Sequence, residues 1–368
     1  MSDKRIRALA RCCVMSSESV SASGLSVGLA RFASYALACL VHLIGPTFLV
    51  VGVYLLFRMT IFAYCLGAVA LGLAWLVRPR IPRFPADIQP LTREEAPNLY
   101  ALVDRIGTGV GAPRTDAVAL GGMVNAAFGT YGWRRRRLVM IGYPLWLILT
   151  PQERIAVLAH EMAHSSNGDA RHGLFVGSAL HSLRELHEVT RFGWHEEDGL
   201  ANLFAQALLA LAGLPVRVLI FALELLLHRS SQRAEYRADE LGARVAGSRA
   251  MASMLDVLTT RVPSAENFLE PSAVVLGASD LWDKLQASVA AIPDEALERR
   301  RQAAREEKTR VDDTHPPTYL RVERVRQLPY VEGEVGAAEV EKIQPELEQA
   351  AYRVAETIRG AARAALYH

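Results

Sequence analysis

Two long uncharged stretches near the start of the chain dominate its hydrophobic pattern. No charged residue occurs from Phe32 to Phe57 or from Met59 to Val77, and Arg58 alone separates the two stretches. A helix needs about 20 apolar residues to span the hydrocarbon core of a bilayer. The pattern therefore predicts a transmembrane helical hairpin over residues 32–78, and two buried core helices are the weaker alternative.

Basic residues flank this predicted hairpin on both sides, whereas its turn carries only Arg58. By the positive-inside rule, this distribution places both ends of the hairpin, and everything downstream, in the cytoplasm. Residues 1–31 show no cleavable signal pattern and are expected to form a cytoplasmic tail. The flanking basic residues are Lys4, Arg5, Arg7, Arg11 and Arg31 before the hairpin, and Arg78, Arg80 and Arg83 after it.

The pattern changes to mixed helical and strand-like periods beyond residue 85, which indicates a globular domain over residues 85–330. A helix is expected over residues 92–107, beginning at Thr92. Short strand-like runs follow at 117–120, 123–130 and 138–141. The expected fold is therefore mainly α with a small β-sheet. Arg134–Arg137 fall at the turn between the last two runs, where we expect a solvated hairpin tip. Contact with anionic lipid is the alternative if that tip faces a bilayer.

The best-marked helix begins at residue 150. Thr150 suits the N-cap, Pro151 suits the first helical position, and Glu153 completes a capping box. Gly168 is a candidate C-terminal stop. The segment "HEMAH" (160–164) therefore lies within a helix, near its C-terminal end.

Composition agrees with a membrane-attached globular domain. Hydrophobic residues make up 51% of the 368, and the mean hydropathy is +0.14, which is apolar for a wholly soluble chain. A net charge of +2 gives no support for nucleic-acid binding. The four cysteines contain no CxxC pair, so they indicate neither a disulfide framework nor a thiolate metal site. They are Cys12, Cys13, Cys39 and Cys65.

"HEMAH" has the spacing of a zinc site. Residues four apart share a helix face, so His160 and His164 can each direct one imidazole at a single ion. Glu161 lies beside that face, where it can accept a proton from water. A catalytic zinc needs a third protein ligand, for which Glu235 is the best candidate, on a helix that Ser230 or Ser231 could cap. Asp239 lies one turn further along the predicted helix and could bond the spare ring N–H of a histidine ligand. A solvated helix face is the alternative for these two acids.

These segments together resemble the HtpX-type membrane zinc metallopeptidases, gluzincins related to the CAAX prenyl proteases. "HEMAHSSNGD" followed by "EYRAD" matches that family's HExxH and third-ligand segments. "VNAAF" (124–128) is similar to its edge-strand segment, and "DTHPPTYLRVERVRQL" (313–328) is similar to its late segment, with His315 and Arg321 at the matching places. The four segments occur in the family's order.

The resemblance implies roles for particular residues. His160, His164 and Glu235 would bind one Zn²⁺ per chain, with Glu161 as general base. Asn125 and Ala126 on the edge strand would hold an extended substrate. His315 would steady the developing oxyanion, with a buried hinge residue as the alternative. The implied fold is an α+β gluzincin domain.

The chain departs from the family between His164 and Glu235, where HtpX-type proteins often carry further membrane helices. The two ligands must meet, so this interval crosses a bilayer an even number of times. Only residues 203–227 are apolar enough, because the preceding stretch, 174–192, carries several charges. We therefore expect no crossing, with 203–227 either buried in the domain or lying at the membrane interface. The histidines and acids of 181–198 suggest a polar surface rather than a second metal site.

The remaining sequence is charged and helical. Residues after 285 read as a solvated helix or arm, and 331–368 as a C-terminal helical tail that packs on the domain or on another subunit. The leading hypothesis is a zinc endopeptidase of the bacterial inner membrane that cuts protein or peptide substrates, in membrane-protein quality control as the resemblance suggests. A narrow-client processing protease and a catalytically silent scaffold are the alternatives. The lipid bilayer is an expected partner, and a homo-oligomer is left open.

Overall fold

The computed structural model describes residues 24–80, 84, 88–132, 134–166, 169–191, 200–306 and 316–365. The chain is mainly helical with one four-stranded sheet, which confirms the predicted fold class. The first half contains α1 (Gly24–Leu56), α2 (Ile61–Leu76), β1 (Pro90–Leu91), α3 (Pro97–Val110), β2 (Ala117–Gly121), β3 (Ala126–Tyr131), β4 (Arg136–Gly142), α4 (Tyr143–Ile148), α5 (Pro151–Ser166) and α6 (Asp169–Val189). The second half contains α7 (Leu200–Ala212), α8 (Leu214–Ala246), α9 (Ser248–Thr260), α10 (Val262–Val275), α11 (Ala278–Ala290), α12 (Asp294–Glu306), α13 (Thr318–Gln327), α14 (Ala338–Glu341) and α15 (Gln344–Ala365).

The two N-terminal helices form the expected hairpin. They approach most closely where Gly52 and Gly67 face each other, since a Cβ added at either position would lie 3.1 Å from the other's carbonyl oxygen. Most large side chains on both helices are exposed and apolar, which suits a lipid environment. By length and composition, two helical stretches could cross a bilayer, Gly28–Leu56 and Asn202–Ala246. The second helix of the hairpin, α2, is a shorter apolar helix of 16 residues.

The sheet has the strand order β1-β2-β4-β3. β2 runs parallel to β4, with Val118 opposite Val139, and β3 pairs antiparallel with β4, with Phe128 opposite Val139. β3 is therefore an edge strand, as the sequence resemblance implied for this segment. The three longer strands lie within a residue or two of the predicted runs, except that β3 begins at Ala126 instead of residue 123.

The main core lies between the sheet and a layer of helices that includes α3, α5 and α8. The predicted start of the first domain helix is wrong. Thr92 does form a reciprocal capping pair with Glu95, but the helix begins only at Pro97, which takes the first helical position. The predicted capping box of α5 is confirmed, since the Thr150 N–H donates to Glu153 Oε2 at 2.8 Å. Gly168 lies outside the described residues.

A second, smaller core joins α1 to α6 and α8. Val176, Leu180 and Leu183 of α6 are buried against Val41 of α1 and Leu223 of α8. This packing explains why α6, whose charges predict a surface helix, is only partly exposed. A helix beginning at Ser230 or Ser231 is wrong, because α8 runs unbroken from Leu214 to Ala246.

Residues 203–227 therefore occupy α7 and the first half of α8. Parts of this segment pack on α1, whereas Phe204, Leu211 and Val218 are more than 60% exposed. An apolar surface of this kind suits the lipid interface better than the interior of a soluble domain.

The C-terminal helix packs on the domain, which is one of the two alternatives expected for residues 331–368. Leu347, Ala351 and Ala355 of α15 belong to the main core. Glu346 accepts hydrogen bonds from the backbone N–H groups of Asn98 and Leu99, and so caps the start of α3.

Candidate metal centre

The centre is built where α5 and α8 pack against each other. Gly242 on α8 allows this close approach, because a Cβ there would lie 3.6 Å from the backbone nitrogen of His160 and 3.0 Å from the sulfur of Met251. Glu235 and Asp239 lie four residues apart on α8, so both carboxylates point to the same side of that helix. The same spacing aligns His160 and His164 on α5.

Three side chains converge with the spacing of metal ligands. His160 Nε2 lies 3.3 Å from His164 Nε2 and 3.5 Å from Glu235 Oε2, and His164 Nε2 lies 3.4 Å from Glu235 Oε1. Tetrahedral zinc with bonds of about 2.0–2.1 Å holds its ligand atoms about 3.3–3.5 Å apart. The donor set His₂Glu and its separations therefore fit a zinc ion, with a fourth position left for water or substrate.

The charges around these ligands also suit a divalent cation. Glu235 and Asp239 are almost completely buried, and Glu161 is half-buried beside them. The buried guanidinium of Arg321 lies within ion-pair distance of both Glu235 and Asp239. A divalent ion such as Zn²⁺ would add positive charge beside these buried carboxylates.

A hydrogen-bonded chain fixes the orientation of His160. Its Nδ1 lies 3.0 Å from Asp239 Oδ1, which is the contact expected of a ligand whose Nε2 faces the metal. Arg321 Nε donates to Asp239 Oδ2 at 2.8 Å and its Nη2 donates to Asp239 Oδ1 at 2.6 Å. Arg321 Nη1 also lies 3.3 Å from Glu235 Oε2. One arginine thus contacts both carboxylates of α8.

These contacts shift the pKa values of the buried groups in the metal-free protein. Burial opposes a charge on His160, but its hydrogen bonds to Asp239 and Glu235 outweigh burial and raise the pKa of the imidazole to about 9. Burial likewise opposes ionisation of Asp239, yet the hydrogen bonds with Arg321 and His160 lower the pKa of its carboxyl group. Without a metal, His160 is therefore protonated at neutral pH.

The other residues singled out in the sequence lie around this centre. Glu161 follows His160 on α5, and its charge acts on both His160 and Arg321. β3, which packs against α5, begins at Ala126, and Asn125 directly precedes it. Asn125 is exposed, and its Oδ1 accepts the N–H of Ala126 at 2.9 Å. His315 lies outside the described residues.

Arg321 belongs to the centre although the sequence identified it only as a motif match. It was recognised only as the last residue of "THPPTYLR", and it is the fourth residue of α13. No local pattern in the sequence shows that an arginine at this position will be buried. Among the described residues, His160, His164 and Glu235 form the only group of three or more side chains with metal-ligand spacing. The described histidines and acids of 181–191 form no second group.

Comparisons with known proteins match the same part of the chain. The family model described as peptidase family M48 matches residues 93–329. A protease HtpX homologue of Pelotomaculum thermopropionicum is 31% identical over 190 residues, covering 49% of this chain and 66% of that protein. The homologue of Pyrococcus furiosus is 28% identical over 170 residues, covering 45% and 57%. Protease HtpX of Stutzerimonas stutzeri is 30% identical over 190 residues, covering 46% and 59%.

The chain thus spans from just over half to about two thirds of the length of these relatives. No solved structure gives a significant match. The family match covers more than half of the chain and includes both metal-ligand helices and Arg321. The chain therefore belongs to peptidase family M48.

Proposed function

We propose that this protein is a membrane-anchored zinc endopeptidase. The observation that carries the proposal is the convergence of His160, His164 and Glu235 at separations of 3.3–3.5 Å. Family M48 metallopeptidases are in general zinc-dependent, which supports Zn²⁺, one per chain, as the ion held by these three residues. When bound, zinc supplies a Lewis acid that polarises a peptide carbonyl and activates water.

The remaining catalytic and positioning roles belong to side chains of the protein. Glu161 acts as general base, taking a proton from the attacking water at its carboxylate and passing it to the leaving amine. Asp239 holds the Nδ1 proton of His160, so that the Nε2 lone pair faces the ion. Arg321 keeps Asp239 ionised and in place. His315 remains our candidate for stabilising the oxyanion.

The substrate is a protein or peptide held in an extended form. β3 leaves one edge free of strand partners within the described sheet, and it packs against the helix that carries Glu161. An extended segment could add to this edge as a further strand, with Asn125 and Ala126 at its end next to the motif helix. An intact general base beside the metal ligands favours a peptidase over a silent scaffold, because a purely structural site needs no base.

The anchor places this chemistry at a membrane. α1 and α2 form an apolar hairpin, and the basic residues on either side of it favour a cytoplasmic catalytic domain. Residues 203–227 extend the apolar surface along α7 and α8. In a bacterium, this arrangement would place the protease domain on the cytoplasmic side of the inner membrane. We propose that its role there is to cleave damaged membrane proteins.

Metal content tests the proposal directly. The wild type, purified in detergent and supplied with zinc, should retain about one zinc per chain. Glu235→Gln should lose most of it. Glu240→Gln, a matched control on the same helix whose carboxylate pairs with Arg324 at the surface, should retain it. A wild type that holds no zinc, or a Glu235→Gln variant that holds it as well as the wild type, would overturn the assignment.

A further inference from the structure

The turn between β3 and β4 carries the most concentrated positive charge among the described residues. Arg134, Arg135 and Arg136 are exposed, and none forms an ion pair with an acid in the described part of the chain. Arg137 differs, because it pairs with Asp116 at 2.9 Å. The peptidase site described above uses none of these arginines.

The turn is tight, so the three arginines lie on a short, sharply bent segment of the backbone. The Arg135 N–H donates to the Gly132 carbonyl at 3.0 Å, and both residues have positive φ, 48° and 70°. A non-glycine residue with positive φ is uncommon and costs conformational energy. The turn thus keeps Arg134, Arg135 and Arg136 at consecutive positions on one exposed tip of the sheet.

An aromatic contact ties this tip to the chain that leaves the membrane hairpin. The ring of Tyr131, at the end of β3, meets the ring of Phe84 edge-on with centroids 5.9 Å apart. Phe84 lies seven residues beyond Val77, where α2 ends. At no more than about 3.6 Å per residue, this connection keeps the backbone of Phe84, which contacts the base of the tip, within about 25 Å of Val77.

The end of α2 also indicates where the bilayer surface lies. The guanidinium of Arg78 lies over the ring of Trp75, 3.6 Å from its centroid. Tryptophan and arginine at the end of an apolar helix are typical of the membrane–water interface. Arg80 pairs with Glu185 at 3.0 Å, so it adds no unpaired charge there.

We propose that Arg134, Arg135 and Arg136 bind the anionic headgroups of the bilayer that holds α1 and α2. This proposal rests on the membrane anchor of the proposed function but not on its peptidase chemistry. Binding would hold one end of β3 at the membrane surface. The free edge of that strand would then meet segments that emerge from the bilayer, which makes membrane proteins the substrates within easiest reach.

Hydrogen–deuterium exchange of the full chain in lipid nanodiscs tests this contact. We compare discs of phosphatidylcholine with discs of equal parts phosphatidylcholine and phosphatidylglycerol. Exchange in peptides that cover 128–137 should slow several-fold in the anionic discs, and added salt should remove the effect because it screens the charges. Each arginine near an anionic surface contributes roughly a fivefold preference, so the three together give a large signal.

Two variants make the outcome specific. R134Q/R135Q/R136Q should show the same exchange in both kinds of disc. R299Q/R305Q, which removes two exposed arginines of α12, should behave as the wild type does. The thermal unfolding midpoint of each variant verifies that it is folded.

Equal exchange of wild type in neutral and anionic discs would overturn the proposal, as would slowing that persists in the triple variant. The readout involves no catalysis, so a protein without peptidase activity gives the same answer. Failure of the anchor itself would be distinct, because the protein would then not be retained in the discs.

Discussion

Arg321 donates two hydrogen bonds to Asp239, of 2.8 and 2.6 Å, in the protein interior. Both side chains are at least 95% buried, so neither charge is compensated by water. Asp239 in turn contacts the Nδ1 of His160 at 3.0 Å. The late helix α13 is therefore joined to the motif helix α5 through one carboxylate on α8, and the ion pair orients a candidate metal ligand.

Replacing Arg321 should destabilise the fold strongly. Arg321→Met removes the bidentate cation from the buried carboxylate of Asp239 and leaves it only the contact with His160; breaking a buried ion pair typically costs about 3–5 kcal/mol of unfolding free energy. Denaturant unfolding measures this loss, after zinc removal so that the metal cannot compensate. Arg324→Met is the matched control. Its pair with Glu240 is exposed, and its loss should cost less than about 1 kcal/mol. Equal effects of the two variants would show that the buried pair has no special role.

Replacing Asp239 should weaken zinc binding without removing a ligand. Asp239→Asn keeps the shape of the side chain but loses the charge that supports the Nδ1 proton of His160. Loss of such a partner typically lowers metal affinity about 10–100-fold. Competition with a zinc chelator measures the change, and Glu240→Gln provides the control one residue along α8. An unchanged affinity would mean that Asp239 does not tune the ligand.

Zinc affinity should rise with pH up to about 9, because the metal must displace the proton that His160 carries in the metal-free protein. The stability of the metal-free fold should change in the opposite direction and fall as the pH rises, because the pKa of His160 is raised in the folded state. Its contribution to stability is fully present below the unfolded value of 6.5 and is lost as the pH rises through about 9. Calorimetry in buffers of different ionisation enthalpy should detect about one proton released per zinc at pH 7.5. Binding without proton release would contradict the assigned protonation.

Gly142, at the end of β4, should not tolerate a side chain. A Cβ there would lie 1.9 Å from the carbonyl oxygen of Met123 and 2.2 Å from that of Asn125, which are backbone atoms that cannot rotate away. The Gly142 N–H also donates to the Asn125 carbonyl at 2.8 Å. Gly142→Ala should therefore displace the start of β3, lower the thermal midpoint and reduce kcat/KM for an extended peptide.

The control for this variant is Gly336→Ala. No heavy atom lies within 4 Å of a Cβ built at Gly336, so this change should leave stability and activity nearly unaltered. If Gly142→Ala keeps full activity and stability, the close packing of Asn125 against β4 does not position the edge strand.

The sequence predicted that His160 and His164 lie side by side because their spacing is local. His160 and His164 share a helix face by the period of the helix alone, and Thr150 and Glu153 mark where that helix begins. Glu235 was found by its motif, although the helix start predicted for it was wrong. α8 continues from its apolar half into its polar half without a stop signal, so a capping residue such as Ser230 was misread as a start.

What the sequence did not predict depends on contacts between distant segments. Arg321 enters the centre from a helix 82 positions beyond Asp239, and no periodicity records such a pairing. The burial of α6 against α1, and of α15 against the main core, likewise follows from which apolar faces meet. Charged residues on α6 predicted a surface helix because composition does not distinguish a half-buried helix from a solvated one.

The most direct test of the account compares wild type with Glu161→Gln for both zinc content and casein cleavage, in detergent. Glutamine keeps the size of Glu161 but cannot accept the proton, so both proteins should hold about one zinc per chain while only the wild type cuts casein. Cleavage by Glu161→Gln at the wild-type rate, or a wild type that neither binds zinc nor cleaves, would contradict the assignment of this centre as a zinc peptidase site.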